Sequence, residues 1–365
     1  MSTLQANFFS QGNGPLFGPQ AERRTRGQVK IAISTQNQSN LTQIIAKASN
    51  LSERLNWQLD PNQIIDETAE TEIQNRLNHW CEITAQGDWE KFQKRLNWDE
   101  LNLEQIKPLL GNLPLQTNLE TLPQWATTLQ QIIETAPNFP PPEITPIYPD
   151  KFWPYQEILL PAIIVGRNLL LNRLNSSSLP LTLLSETAYL SLERSLLERL
   201  INLSYTTLKT EFFATLPLGQ KLLLRTKTMK EDTPALKAEY QQFCQEMLTE
   251  NFLNFCEKYP VLSRLIATAV NFWVTATAEF IENLQGDLPE IKKLFFDERI
   301  PPNPPWKGGN YLKITEIKTG LSDPHNNGKS VIAVTFESGL KLVYKPKDLG
   351  TEIAYCQFLE WCNQQ

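Results

Sequence analysis

The residues whose types and spacing suit phosphate chemistry lie in one polar loop and at one lysine that follows it. The loop TGLSDPHNNGKS carries Asp323, His325 and Gly328 between two segments that predict strands. A glycine-containing loop between two strands can lie over phosphates and present backbone N–H groups to them. Asp-Pro and Asn-Asn-Gly are also typical of an ordinary surface turn, and a loop histidine is often merely exposed. The loop alone therefore leaves both interpretations open.

Lys345 ends the strand that follows the next hairpin. In protein kinases, a lysine on the third strand binds nucleotide phosphates as a fixed positive charge. A lysine on a strand is also a common solvent-facing residue, which is the alternative interpretation. The loop, the hairpin and the lysine together favour a nucleotide site more than any of them does alone.

The other polar groups predict no second site. The carboxylate pairs Glu186 with Glu193 and Glu279 with Glu282 have helical spacings that predict solvent-facing ion pairs. The five cysteines are scattered, with no Cys-x-x-Cys, and the chain has only two histidines. We therefore predict reduced thiols, no zinc site and no other metal site.

Charge and hydropathy limit the partners and the compartment. The formal net charge of -6 gives no general electrostatic reason to bind nucleic acid or an anionic membrane. The most apolar run, 158–171, is interrupted by Pro161 and Arg167 and is shorter than the roughly 20 residues of a membrane span. The N-terminus has no apolar segment of a secretory signal. We therefore predict a cytoplasmic protein with no membrane span and no nucleic-acid partner.

The elements that position the loop and Lys345 follow from the periodicity of the apolar residues. Helical spacing dominates up to about residue 300, most clearly over 261–284, where Gly286 and Asp287 predict the end of the helix. After a proline-rich segment the period changes to that of short strands. Strands are predicted at 311–318, 331–336 and 340–345, with a tight turn at 337–339, and a helix is predicted at 348–363.

Several segments in order along the chain resemble the N-terminal dehydratase region of the class II lanthipeptide synthetases, the LanM proteins. The most specific is GLSDPHNNGKSVIAVTFESGLKLVYKPKDLGTEIAYCQFLEWCN, in which Asp-Pro-His precedes Gly-Lys-Ser, a strand, a Ser-Gly turn and Tyr-Lys-Pro-Lys. FWPYQEILLPAIIVGRNLL and EKYPVLSRLIATAVNFWVTATAEFIENL also match in order and spacing. The resemblance covers most of residues 70–365.

The resemblance implies an activity and roles for the candidate residues. Enzymes of this family use ATP and Mg²⁺ to phosphorylate Ser and Thr of a ribosomal precursor peptide, and then eliminate phosphate to leave dehydroamino acids. Their dehydratase core is similar to lipid kinases. By the family motif, Asp323 and His325 are catalytic residues of the nucleotide-side loop, and Lys345 is the strand lysine that faces the nucleotide phosphates.

The composition and periodicity, together with the resemblance, imply a fold and a domain order. We expect an α+β, mainly helical chain whose C-terminal part is an incomplete kinase-like antiparallel β N-lobe. The expected segments are a flexible tail over 1–30, a helical block over 31–136, a proline-rich connector over 137–150, a helical block over 151–300 and the incomplete lobe over 301–365.

Only 20 residues follow Lys345, and they read as one helix. A kinase-type site also needs a catalytic loop with Asp and Asn and a further metal-binding Asp. We therefore expect an N-terminal fragment of a LanM-type synthetase that transfers no phosphate by itself. The alternative is a non-catalytic peptide-binding module, or one half of a split synthetase that pairs with a second chain. The sequence does not determine the peptide substrate, the ring pattern or the separate roles of Asp323 and His325.

Overall fold

The computed structural model describes residues 35–55, 67–111, 122–138, 153–174, 183–225, 233–295, 312–347 and 350–364. It confirms the α+β, mainly helical fold class, since the described residues form many helices and one three-stranded antiparallel sheet near the C-terminus. The expected tail over 1–30, nearly all of the connector over 137–150 and the prolines of 301–305 lie outside the described residues. The domain boundaries expected from the sequence stay a prediction.

The described residues group into two compact units, one drawn from 31–138 and 246–267 and the other from 139–245 and 268–365. The helices are α1 Thr35–Ala48, α2 Leu51–Leu55, α3 Glu67–Ala85, α4 Trp89–Trp98, α5 Leu103–Leu109, α6 Gln124–Thr135, α7 Gln156–Arg173, α8 Glu186–Thr215, α9 Leu218–Arg225, α10 Pro234–Glu246, α11 Phe252–Lys258, α12 Pro260–Phe295 and α13 Gly350–Gln364. The strands are β1 Ile314–Lys318, β2 Ile332–Phe336 and β3 Lys341–Tyr344. A 3-10 turn, Ala136–Asn138, follows α6, and a π-helical turn, Met247–Asn251, precedes α11.

The first unit has an apolar core and a partly buried polar anchor. Helices α3, α4 and α5 pack through a cluster that includes Phe92 and Leu96. The Arg264 guanidinium donates to the two carboxylate oxygens of Glu53 at 2.7 and 3.0 Å, and Trp125 Nε1 donates to the same carboxylate at 2.9 Å. Because both charges have hydrogen-bond partners, this polar group can lie within the unit at limited cost.

In the second unit, α7, α8 and α12 approach one another closely at Gly166. A Cβ at this position would lie 3.3 Å from Leu196, 3.4 Å from Val270 and 3.5 Å from Trp273. Trp273 also donates from its indole Nε1 to the Leu192 carbonyl at 2.9 Å. A residue without a side chain therefore allows three helices to meet where a larger residue would need repacking.

One of the carboxylates predicted to face solvent is buried in this core. The Glu193 side chain is 0% exposed and receives two hydrogen bonds of 2.6 Å, from Nε and Nη2 of Arg167. Burial opposes the charge on Arg167, but the hydrogen bonds and the negative charge of Glu193 outweigh it and raise the pKa of the guanidinium. The prediction of a solvent-facing Glu193 was wrong because its partner lies 26 residues away on another helix.

Helix α12 contains most of the predicted apolar stripe and is longer than predicted. The side chains of Trp273, Phe280 and Ile281 are buried. The predicted end at Gly286 is wrong, since the helix continues through Pro289 to Phe295. In a helix the glycine costs about 1 kcal/mol and the proline about 3 kcal/mol, while the neighbouring Leu, Glu and Lys residues favour helix. Within the described part of the chain, α12 is the one helix long and apolar enough to span a membrane, but 56% of its apolar window is buried, as is typical of a core helix.

The sheet has the order β1-β2-β3, with both neighbouring pairs antiparallel. Its first strand adjoins α8 and is extended by the residues before that helix, because the Ile314 N–H donates to the Leu183 carbonyl at 2.8 Å and the Ser185 N–H donates to the Ile314 carbonyl at 2.7 Å. The predicted tight turn between β2 and β3 is confirmed, with Gly339 at φ +86°. The side chains of one face, including Val334 and Phe336, are buried, so the helices support the sheet from that side.

Three of the five cysteines are buried and two are exposed, and this difference predicts which thiols react with a thiol reagent. Cys81, Cys244 and Cys256 are buried, whereas Cys356 and Cys362 on α13 are exposed. Burial raises the pKa of Cys244 to about 12 and that of Cys256 to about 12, so both thiols stay protonated and unreactive at neutral pH. We expect Ellman's reagent to titrate two thiols rapidly in the folded protein and five after denaturation. More than two fast thiols in the native protein would contradict this burial pattern.

Candidate functional site

The polar loop between β1 and β2 folds into a small hairpin. The backbones of His325 and Lys329 exchange two hydrogen bonds, each 2.8 Å long. The three residues between them have positive φ angles, 42° at Asn326, 66° at Asn327 and 90° at Gly328. Asn and Gly are the residues that adopt this region most readily, which is why Asn-Asn-Gly makes the tip. The turn interpretation of this segment is therefore correct for its backbone.

The inner side of the loop is held against the sheet and the helices. The Leu321 N–H donates to the Val331 carbonyl at 3.3 Å, and the Val331 N–H donates to Ser322 Oγ at 3.0 Å. Lys329 Nζ contacts both carboxylate oxygens of Glu279 on α12, at 2.8 and 2.7 Å. The loop is thus tied both to its own sheet and to a helix of the same unit.

Behind the loop, a cavity of about 560 Å³ lies between its inner side and helices α8 and α12. Arg199, Trp273, Ser322 and Tyr344 are among its lining residues. None of the candidate residues Asp323, His325 and Lys345 lines it, although Ser322, Pro324, Tyr344 and Pro346, the chain neighbours of Asp323 and Lys345, do. The candidate residues therefore lie next to residues that line this cavity but do not line it themselves.

All three candidate side chains, Asp323, His325 and Lys345, are exposed. Tyr344 pairs with Ile332, so Lys345 leaves β3 at the same end of the sheet where the loop enters β2. Side chains alternate between the two faces of a strand, which places Lys345 with Val343 and Lys341 on the face opposite the helices. The structure thus brings the loop and the lysine to one end of the sheet.

The open face of the sheet is a small mixed surface with Lys345 at its end, and its side chains are Glu316, Lys318, Ala333, Thr335, Lys341, Val343 and Lys345. Ala333 pairs with Val343, and Thr335 pairs with Lys341. The Val343 side chain is 57% exposed. An exposed patch of small and apolar side chains beside a lysine suits a ligand with a flat apolar ring and an anionic tail.

Glu352, in the first turn of α13, is a residue that sequence reasoning missed. It pairs with Lys347, whose hydrogen bond is the main cause of its lowered pKa, and Lys345 adds a further attractive charge. In kinases a helix glutamate pairs with the strand lysine itself, whereas here the partner of Glu352 is Lys347, two residues after Lys345. The sequence signal for Glu352 was its position near the start of the predicted C-terminal helix, seven residues after Lys345.

Two further residues near the loop were also missed. Glu279 forms an ion pair, as predicted, and is 34% exposed, but its partner is Lys329 of the loop. Arg199 on α8 lies against the loop tip, where a Cβ on Gly328 would be 2.8 Å from its Nη1 atom. Neither contact has a sequence signal, because the partners are 50 and 129 residues apart along the chain.

No metal centre is evident in the described ranges, since they bring no three His, Cys, Asp or Glu side chains together. Asp323 is an exposed carboxylate at the loop, and His325 and Lys345 are groups that interact with phosphate. The chemistry that this arrangement supports is electrostatic binding of a phosphorylated ligand on the open face of the sheet.

A comparison with known protein families finds a match over the part of the chain that contains the loop and the sheet. Residues 259–365, which include the end of the helical region, the sheet and α13, match a domain of unknown function, DUF4135. No curated protein matches the chain. DUF4135 is found in lanthipeptide synthetases of the LanM kind. The C-terminal part of this chain therefore carries a domain that is found in lanthipeptide synthetase-like proteins.

Proposed function

We propose that residues 312–364 are the nucleotide-side lobe of a lanthipeptide-type Ser/Thr dehydratase. The observation that carries the proposal is the position of Lys345, which is exposed directly after β3, at the same end of the sheet as the loop of Asp323 and His325. Glu352, on the helix that follows, pairs with the neighbouring Lys347. A kinase-like lobe needs these parts, namely a loop over the phosphates, a strand lysine and a helix glutamate. The match to DUF4135 supports the same assignment.

In this proposal, Lys345 neutralises negative charge on the phosphates, and Glu352, whose hydrogen-bond partner is Lys347, contributes a nearby negative charge that attracts Lys345. A fixed cation is effective at such a site because phosphoryl transfer depends mainly on positioning and electrostatic stabilisation. Lys347 already holds Glu352 by a hydrogen bond, so this carboxylate is placed before any ligand binds. Lys345 itself stays exposed and accessible to phosphate.

The residues present fit ATP and Mg²⁺ as cofactors. The Ala333–Val343 pair offers an apolar surface for the base, while Lys345 and the loop backbone offer donors for the phosphates. Magnesium usually combines one or two carboxylates with phosphate oxygens, and Asp323 is an exposed carboxylate at the loop. Bound MgATP would supply the phosphoryl group and make it electrophilic.

The proposed reaction has two steps on a Ser or Thr of a ribosomal precursor peptide. In the complete dehydratase, of which this lobe would be one part, the hydroxyl oxygen would bond to the γ-phosphorus, the bond to the β-phosphate oxygen would break, and the hydroxyl proton would pass to the carboxylate of a kinase-type catalytic loop. A second base would then take the Cα proton, the Cβ–O bond would break and phosphate would leave, which forms a Cα=Cβ double bond. No residue of this lobe is assigned as either base. Asp323 and His325 organise the phosphate during transfer or departure. We place this chemistry in the cytoplasm, where ATP and the peptide are available.

The first experiment is a calorimetric titration of the purified chain with MgATP. We expect saturable binding that ADP displaces, because the lysine and the loop recognise phosphates. A matched titration with adenosine separates the phosphate contribution from that of the base. The absence of saturable binding at millimolar MgATP would overturn the proposed nucleotide-side lobe.

A second candidate is a half-site that a second polypeptide completes, or a module that only binds peptide. It is favoured by α13, on which five large apolar side chains are all exposed, namely Ile353, Tyr355, Phe358, Leu359 and Trp361. Such a concentration of exposed apolar side chains marks an interaction surface. Mixing the chain with a polypeptide that carries a kinase catalytic loop, MgATP and a precursor peptide tests it. Gain of phosphate or loss of water only in the mixture favours the half-site, and peptide binding without either favours the module.

A further inference from the structure

We propose that Glu279 on α12 is a positioning residue that fixes the loop carrying Asp323 and His325. Its carboxylate contacts Lys329 Nζ through both oxygens, at 2.8 and 2.7 Å. The side chains of Lys329 and Glu279 are only 25% and 34% exposed, so water screens this pair less than a surface pair. The effect of Glu279 on loop geometry stands by itself, whereas its effect on catalysis rests on the proposed function.

The ion pair connects to His325 through the backbone of Lys329. The Lys329 N–H donates to the His325 carbonyl, and the His325 N–H donates to the Lys329 carbonyl, both at 2.8 Å. Whatever fixes the Lys329 side chain therefore also limits where the His325 backbone can lie. Glu279 thus acts on His325 through Lys329, by way of the ion pair and two backbone hydrogen bonds.

Gly328 provides a second, independent anchor beside the ion pair. At φ +90°, it adopts a conformation that favours glycine, and a Cβ there would lie 2.8 Å from Arg199 Nη1 and 3.2 Å from Phe272 Cβ. The loop tip therefore lies directly on α8 and α12. Because Phe272 and Glu279 are two turns apart on α12, the helix contacts the loop at two separate points.

These anchors use the inner side of the loop and leave its outer side free. Lys329 and Gly328 face the helices, whereas Asp323 and His325 are exposed. A loop fixed from behind can present its functional groups with little loss of conformational freedom on ligand binding. Displacement of such groups by about 1 Å can reduce a reaction rate by about 100-fold, so a residue that never touches the substrate can still be important.

The test compares Glu279→Gln with Glu282→Gln, a matched control because Glu282 lies on the same helix and is exposed. Hydrogen exchange of the His325 and Lys329 amides reports the hairpin directly and needs no ligand. We expect exchange of these two amides to be about tenfold faster in Glu279→Gln and unchanged in Glu282→Gln. The charge-reversed double variant Glu279→Lys with Lys329→Glu should restore slow exchange, which a merely structural role of Glu279 elsewhere would not produce.

Unchanged exchange in Glu279→Gln would overturn the proposal, as would failure of the charge-reversed pair to restore protection while the fold remains native by circular dichroism. Calorimetry with MgATP on the same variants separates this result from the proposed function. Faster exchange together with no MgATP binding by the wild type would retain Glu279 as the loop anchor and reject the nucleotide site. Faster exchange with at least threefold weaker MgATP binding would support both.

Discussion

Replacing Lys345 by alanine should weaken MgATP binding by about 10- to 100-fold. A hydrogen bond to a charged group contributes about 1.5–3 kcal/mol, and each 1.4 kcal/mol changes an equilibrium constant tenfold. Lys345 is exposed on the open face, so its loss removes a cation without creating a cavity in the core. Calorimetric titration of the folded variant with MgATP measures the change.

Lys341→Ala is the matched control for this variant. Lys341 lies on the same strand and the same face, and it is equally classed as exposed. At about 3.4 Å per residue it is about 14 Å from Lys345 along the strand, beyond the reach of phosphates bound at the loop end. We expect less than a twofold change for Lys341→Ala. Equal weakening by both substitutions would indicate general electrostatic attraction and contradict a specific site at Lys345.

Replacing Glu193 by alanine should lower the free energy of unfolding by about 3–5 kcal/mol. Glu193 is fully buried, and its removal leaves the largely buried Arg167 guanidinium without its charged partner in the core of the second unit. The cost arises mainly from that uncompensated buried charge. Urea denaturation followed by circular dichroism measures it.

Glu282→Ala is the control for this substitution, since Glu282 is exposed on α12 and should change the stability by less than about 0.5 kcal/mol. The double variant Arg167→Met with Glu193→Leu replaces both charges by apolar side chains. It should be more stable than Glu193→Ala, because no unpaired charge remains. A double variant less stable than Glu193→Ala would show that packing rather than charge explains the loss.

Much of the local structure could be predicted from the sequence because it depends on near neighbours. The alternating apolar residues of β2 and the glycine turn before β3 are local signals, and both elements form where expected. The stripe of α12 likewise predicted its buried face. The end of that helix was missed because a single glycine and proline weaken a helix without stopping it when the following residues favour helix.

The candidate site, too, could be predicted from the sequence only in part. Sequence could indicate the loop and Lys345, whose types and order are characteristic, but it could not show which carboxylates are engaged. Glu193 and Glu279 have the same helical spacing as exposed carboxylates, and their cationic partners lie far away along the chain. Their roles depend on helix packing and on the docking of the loop, which no local pattern encodes. Glu352 was easier to predict, since it lies only seven residues after Lys345 along the chain.

In the proposed function, the nucleotide binds on the open face of the sheet and not in the cavity behind the loop. Photolabelling with an azido derivative of ATP, followed by peptide mass spectrometry, tests it most directly. The account predicts label within 332–345 that excess ATP prevents and that Lys345→Ala strongly reduces. ATP-protected label on α8 or α12 around Arg199 and Trp273 instead, or no ATP-protected label at all, would contradict it.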